Sequence, residues 1–185
     1  MRLPEAGEIR TLLERWGKRI FQQTYTFPDG RKDDFLIFGT TKNVRPVIVF
    51  PLTANKEVIA VRQFRIGANA LVLELPGGNP KPGQTAEDVL RAELVEETGY
   101  RPGEIVPFNQ KQMWFEPASM RVSYVPFLAL NCVFEKEPTP EQNEVIEVVK
   151  IPYETWIELI RSGGVKDDKT IAITFLADLY LREND

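Results

Sequence analysis

Apolar positions along the chain recur first with a helical period and then with a period of two. Over residues 5–16, Ile9, Leu12, Leu13 and Trp16 follow the i, i+3, i+4, i+7 spacing, which predicts a short amphipathic helix stopped by Gly17. The following segment, RIFQQTYTFPDGRKDDFLIF, is two extended runs around the turn-forming Pro28-Asp29-Gly30, and predicts a β-hairpin. Phe21, Tyr25 and Phe27 fall on one face of its first strand. A two-stranded hairpin is barely stable alone. Its aromatic face therefore needs a partner surface, either the main domain or a second subunit.

Three strands are predicted next, over 44–52, 57–65 and 71–75. A loop rich in Gly and Pro, 76–83, leads to a helix over 86–98, with Thr85 as its N-cap and Gly99 as its stop. Strands resume near 105–112, 122–134 and 145–151, with a polar loop at 135–143. Two helices close the chain, 153–161 and 169–181, the second with Ala172, Phe175, Leu176 and Leu179 on one stripe. No repeat or low-complexity tract interrupts this order. Strands interleaved with few helices predict a mixed sheet flanked by helices.

The 185 residues suffice for one domain with a sizeable core and a small N-terminal extension. With 43% hydrophobic and 27% charged residues the composition is that of a soluble globular protein. The net charge of -4 comes without a Lys/Arg-rich stripe, which argues against nucleic-acid binding. No apolar run is long enough to span a bilayer and the first residues lack a secretory layout, so no membrane partner and a cytoplasmic location are expected. Cys132, the single cysteine, lies in an apolar stretch and reads as a small core residue. The chain contains no histidine, which excludes Ser-His-Asp, Cys-His and His-ligated zinc chemistry. Catalysis here must come from carboxylates, Lys, Tyr or a metal. The 27 acidic residues point to a hard cation with oxygen ligands.

Residues 73–100, LELPGGNPKPGQTAEDVLRAELVEETGY, are the informative segment. Glu93, Glu96 and Glu97 are spaced i, i+3, i+4 and project from one helix face, while Leu90 and Leu94 hold another. Like charges on neighbouring turns repel, and a divalent cation reverses that cost. Two readings are open for the trio alone, a solvated acidic face or a metal site. Glycines at 77, 78, 83 and 99 bracket the helix and favour the second, because they let backbone approach a ligand closely.

The segment resembles the signature of the Nudix hydrolases: Gly, five residues, Glu, seven residues, Arg-Glu-aliphatic, one residue, Glu-Glu, one residue, Gly. Gly78 takes the first position, Glu93 the Glu beside Arg, Glu96 and Glu97 the pair, and Gly99 the last. Gln84 stands where the family has its first Glu, and Ala92 where it has Arg; Arg91 is rotated by about 100° on the helix and is no substitute. The resemblance covers nearly the whole chain and is nearest to the ADP-ribose pyrophosphatase branch. It includes the hairpin before the domain, Gln63-Phe64-Arg65, the approach LELPGG, Pro117 beyond the box, EQNEVIEV and the ending GGVKDDKTIAITFLA. After the Pro the branch often carries an acidic residue, where this chain reads Ala118-Ser119-Met120-Arg121.

The resemblance implies an α/β fold, the Nudix α/β/α sandwich with a mixed central sheet, over 43–185. A small β extension with its N-terminal helix occupies 1–42 and is a possible dimer element. It implies Mg²⁺, or Mn²⁺, held by Glu93, Glu97, Glu96 and the Gly77 carbonyl. The substrate is then a nucleoside diphosphate linked to another group, ADP-ribose or a nucleotide sugar, cleaved at its pyrophosphate. The alternative is a module that binds and senses such a nucleotide without turning it over. Arg65 is a candidate phosphate clamp or an ordinary surface Arg, and Glu74 and Phe27 are further candidate substrate contacts. Tyr25 and Phe27, like Trp114 and Phe115, stack on a base or pack in a core or dimer. With no His, the catalytic base is a carboxylate of the polar loop, Glu144 in preference to Glu141, assisted by Glu96. A homodimer is expected.

Overall fold

A computed structural model describes residues 1–41, 44–139 and 145–184. In chain order its elements are β1 (Glu5–Arg15), β2 (Lys18–Thr26), β3 (Lys32–Thr40), β4 (Val47–Thr53), β5 (Glu57–Arg65), β6 (Ala70–Glu74) and β7 (Gly77–Gly78), followed by α1 (Ala86–Thr98). Then come β8 (Tyr100–Arg101), β9 (Glu104–Pro107), β10 (Met113–Trp114), β11 (Met120–Arg121), β12 (Ser123–Phe134), β13 (Ile146–Pro152), α2 (Tyr153–Arg161) and α3 (Asp168–Asn184). They form two compact units, residues 1–45 with 113–124, and residues 46–112 with 125–185.

In the first unit β1, β2 and β3 form an antiparallel meander, and β11 adds to β3 in parallel. The expected helix over 5–16 is instead the strand β1. Its apolar residues imitate a helical stripe because two register shifts, between Ala6 and Ile9 and between Thr11 and Leu13, break the period of two. Gly17 stops no helix. With Trp16 at φ 49° and Gly17 at φ 75°, the two form a two-residue turn that pairs Arg15 with Lys18. A lone helix of this length is marginal in water, whereas pairing with β2 satisfies the backbone. The second hairpin turns at Gly30, φ 85°, as its sequence predicts.

In the second unit the sheet order is β12-β4-β5-β13, with β8 and β9 on β12, β6 on β5 and β7 on β4. Among the described residues of this unit only β12 and β4 run parallel, so the sheet is mixed, as expected. Every residue of β4 is buried. Val47 and Val49 pack with Val89, Leu90 and Leu94 of α1 in one core cluster. By the alternation of the strand, Phe50 faces the other way, where it meets Tyr153 of α2. Helices thus cover both faces, which gives the α/β/α layering. Cys132 belongs to the α1 cluster, and burial pushes its thiol up to about 12. Among the described residues no helix is long and apolar enough to cross a membrane.

The face α3 buries is not the expected one. Thr170, Ile173, Thr174 and Ala177 point inward, while Phe175 is 61% exposed. Hydrophobicity misassigned the stripe because two of the inward positions are hydroxyls with buried partners. Thr170 Oγ1 accepts the Leu75 N–H at 3.0 Å, and Thr174 Oγ1 accepts the indole N–H of the fully buried Trp156 at 3.0 Å. The variant Thr174→Val keeps the shape and leaves that N–H unpaired. We expect a loss of about 1–3 kcal/mol in urea unfolding; an unchanged midpoint would mean the indole bond contributes nothing.

Candidate active site

The site grows from the segment between β6 and α1. At its start, β6 delivers Glu74, 3% exposed, into a bidentate pair with Arg65 of β5, with Nε and Nη2 each 2.7 Å from a carboxylate oxygen. The hydrogen bond to Glu74 holds the guanidinium above its ordinary pKa, with the charges of Glu74, Glu97 and Asp167 acting in the same direction. Arg65 and Glu74, read separately as substrate contacts, are thus one fixed ion pair. They line a cavity of about 600 Å³ together with Lys166, Asp167 and Lys169.

Three residues on, β7 pairs with β4, Gly77 opposite Ile48 and Gly78 opposite Val47. Gly77 has no room for a Cβ, which would overlap the Val47 carbonyl oxygen. Its N–H donates to Glu97 Oε2 at 3.0 Å. At Gly78 the space of a Cβ is filled by the Glu93 carboxylate. Both carboxylates therefore lie against one Gly-Gly step, although they come from successive turns of α1.

Helix α1 is held so that this face points at the step. Thr85 and Asp88 form a reciprocal capping box, with Asp88 N to Thr85 Oγ1 at 3.2 Å and Thr85 N to Asp88 Oδ2 at 2.9 Å. Val89, Leu90 and Leu94 seat the opposite side in the core. Gly99, at φ 78°, ends the helix by returning its N–H to the Val95 carbonyl, and its own carbonyl accepts from Glu135 N at 2.8 Å. The apparent gaps in the glutamate-rich box also have places. Gln84 accepts the Lys81 N–H through Oε1 at 2.7 Å, closing a loop turn. Arg91 pairs with Glu87 on the exposed side, 2.7 Å away.

Of the four metal ligands read from the sequence, Glu93 and Glu97 come together at the Gly77–Gly78 step; Gly77 was read as a ligand through its carbonyl, and what the structure shows is its N–H donating to Glu97. Among the described residues no group of three Cys, Asp or Glu side chains is gathered that could hold a metal ion, and Glu96 is half-buried on α1. Its backbone carbonyl accepts the Thr139 N–H at 2.8 Å. Two carboxylates, Glu97 buried and Glu93 half-buried, offer oxygen ligands of the kind a hard divalent cation takes. Glu141 and Glu144 lie outside the described residues. Phe27 belongs to a different cavity, in the first unit, with Tyr25, Phe35 and Trp114.

Sequence reasoning gave no role to Asp167 and Lys169. Asp167 accepts the Thr170 N–H at 3.0 Å at the start of α3 and pairs with Lys169 beside Arg65's cavity. The available signal was an Asp two residues before a Lys at a helix start, which alone reads as an N-cap.

The family profile of the NUDIX domain matches residues 42–172. A GDP-mannose pyrophosphatase of Salmonella arizonae is 27% identical over 173 residues, covering 88% of this chain and 81% of the relative. An ADP-ribose pyrophosphatase of Bacillus subtilis is 29% identical over 159 residues, covering 85% and 83%. A crystal structure of an ADP compounds hydrolase superposes with a TM-score of 0.85 over 100% of this chain and 97% of its own, at 16% identity, and so shares the fold.

Gly78→Ala tests the step directly. The atoms nearest the added methyl are those at the flexible end of Glu93, so the fold should melt within a few degrees of the parent. Displacing that carboxylate should weaken Mn²⁺ binding in titration calorimetry by roughly 10–100-fold. Undiminished binding would separate Gly78 and Glu93 from the metal.

Proposed function

Since the chain belongs to the NUDIX domain family, we propose that it hydrolyses the pyrophosphate bond of a nucleotide sugar or ADP-ribose, releasing a nucleoside monophosphate and a sugar phosphate. The observation behind this reading is the convergence of Glu93 and Glu97 on the Gly77–Gly78 step.

Nudix hydrolases generally use divalent metal ions. Here Mg²⁺, or Mn²⁺, is the cation, with Glu93 and Glu97 as its primary ligands and Glu96 holding a further ion. Bound there, the cation supplies charge neutralisation and Lewis acidity. The protein's own residues do the positioning. Arg65, immobilised by Glu74 while half its side chain stays exposed, presents guanidinium N–H groups to a phosphate. Phosphoryl transfer depends mainly on such positioning and electrostatics. Glu144, or Glu141, takes the proton from the attacking water, as the chain has no imidazole to do so.

The first unit supports a homodimer. Its sheet leaves Leu12, Leu13, Leu36, Phe38 and Trp16 exposed, the last to 90%, and an apolar patch of that kind marks an interaction surface. Light scattering at micromolar concentration should give the dimer mass. The double variant Leu13→Glu, Leu36→Glu should give the monomer; a monomeric parent would contradict the assignment.

Glu97→Gln preserves an acceptor for the Gly77 N–H and removes one charge. Turnover of ADP-ribose and GDP-mannose with Mg²⁺ should fall about a hundredfold or more, with the fold intact. Full activity would remove Glu97 from the site. A parent that binds these nucleotides and hydrolyses none would favour the sensing module.

A further inference from the structure

We propose that Thr170 is a positioning residue for the metal site: its buried hydroxyl fixes the Leu75 amide and so aims the Gly77 N–H at the Glu97 carboxylate. The inference rests on the reading that Glu93 and Glu97 take up a divalent cation.

Strand β6 ends at Glu74, opposite Val61 of β5, and Leu75 is the first residue beyond it. The Leu75 N–H donates to a side chain, Thr170 Oγ1, at 3.0 Å, and both residues are buried. A buried amide left without an acceptor costs free energy, so the path of the chain at this point depends on that oxygen. Pro76 comes next, and its ring locks φ, so the direction set at Leu75 passes to Gly77 with little slack. Gly77 is the residue that donates to Glu97 Oε2, at 3.0 Å, and a hydrogen bond weakens steeply once its angle is lost. The Val47 carbonyl oxygen already fills the space of a Gly77 Cβ, which leaves the backbone no room to settle closer to β4.

Thr170 is itself held by the protein. It is fully buried on the first turn of α3, and its branched side chain has few rotamers. Its own N–H donates to Asp167 Oδ2 at 3.0 Å. The Asp167 side chain is only 10% exposed, and its other oxygen pairs with Lys169. An ion pair at the head of the helix thus sets where the hydroxyl sits.

A valine would fill the same volume and keep the apolar contacts. What the hydroxyl adds is the acceptor for Leu75. The positioning role is therefore separable from packing. Thr174, one turn further on, supplies the comparison. It is also a buried hydroxyl that accepts an N–H, but that N–H belongs to the Trp156 indole and not to the glycine segment.

Three variants of the full chain test this, each read by thermal unfolding and by Mn²⁺ titration calorimetry. Thr170→Val removes the acceptor and should weaken Mn²⁺ binding about tenfold or more. Thr170→Ser keeps the acceptor and loses a buried methyl; it should melt below the parent and bind Mn²⁺ as the parent does. Thr174→Val should likewise lose stability and keep its Mn²⁺ affinity. Undiminished binding by Thr170→Val, or an equal loss in Thr170→Ser or Thr174→Val, would overturn the proposal. Should Thr170→Val not fold, hydrogen exchange on the parent decides, because a bond that favours the cation must in turn be favoured by it. Mg²⁺ should slow exchange at the Leu75 amide more than at the Trp156 indole; an equal change at both would overturn the proposal. A parent that binds neither ion overturns the metal-site reading and this proposal together, whereas Mn²⁺ binding that ignores Thr170 overturns the proposal and leaves that reading standing.

Discussion

A carboxylate taken out of water must find a donor, and Glu97, 5% exposed, finds one in the N–H of Gly77. Leaving a charge of this kind buried and unpaired costs several kcal/mol. The bond is available only because backbone, with no side chain, occupies that position. Gly77 cannot carry a Cβ against the Val47 carbonyl, and a Cβ on Gly78 would stand where the Glu93 carboxylate lies. The close approach of α1 to a two-residue strand is thus both a packing contact and the means by which two anions are brought to one place.

The segment bearing the two glycines is held from three directions. Thr170 of α3 accepts the Leu75 N–H, Val49 of β4 donates to the Pro76 carbonyl at 3.0 Å, and Glu97 of α1 accepts from Gly77. Consecutive residues therefore bond to three different elements of the second unit. Preorganisation of this sort lets a site present charge without reorganising as the reaction proceeds. The Arg65–Glu74 pair adds to it, since Glu74 directly precedes Leu75, and a fixed guanidinium loses less entropy on meeting a phosphate than a free one.

Much of this was legible in the sequence wherever a local rule had one solution. Thr85 and Gly99 delimit α1 as read, because a capping hydroxyl and a left-handed glycine leave little choice of boundary. The glutamate spacing also put Glu93 and Glu97 on a common face. β1 was not legible, since its bulges shift apolar residues into a helical spacing and the Trp16-Gly17 turn looks like a helix stop. The inward face of α3 was hidden for a related reason. Thr170 and Thr174 are buried through specific hydrogen bonds, which hydropathy does not register. Long-range pairs such as Arg65 with Glu74 are invisible to periodicity, because neither residue's spacing reveals its partner.

The central claim is that Glu93 and Glu97, gathered at the Gly77–Gly78 step, form the divalent-metal site. The most direct measurement is anomalous diffraction from crystals of the protein soaked in Mn²⁺. The account predicts an anomalous peak within bonding distance of carboxylate oxygens of both Glu93 and Glu97. A peak bonded to neither, with both side chains still packed against the glycines, would contradict it.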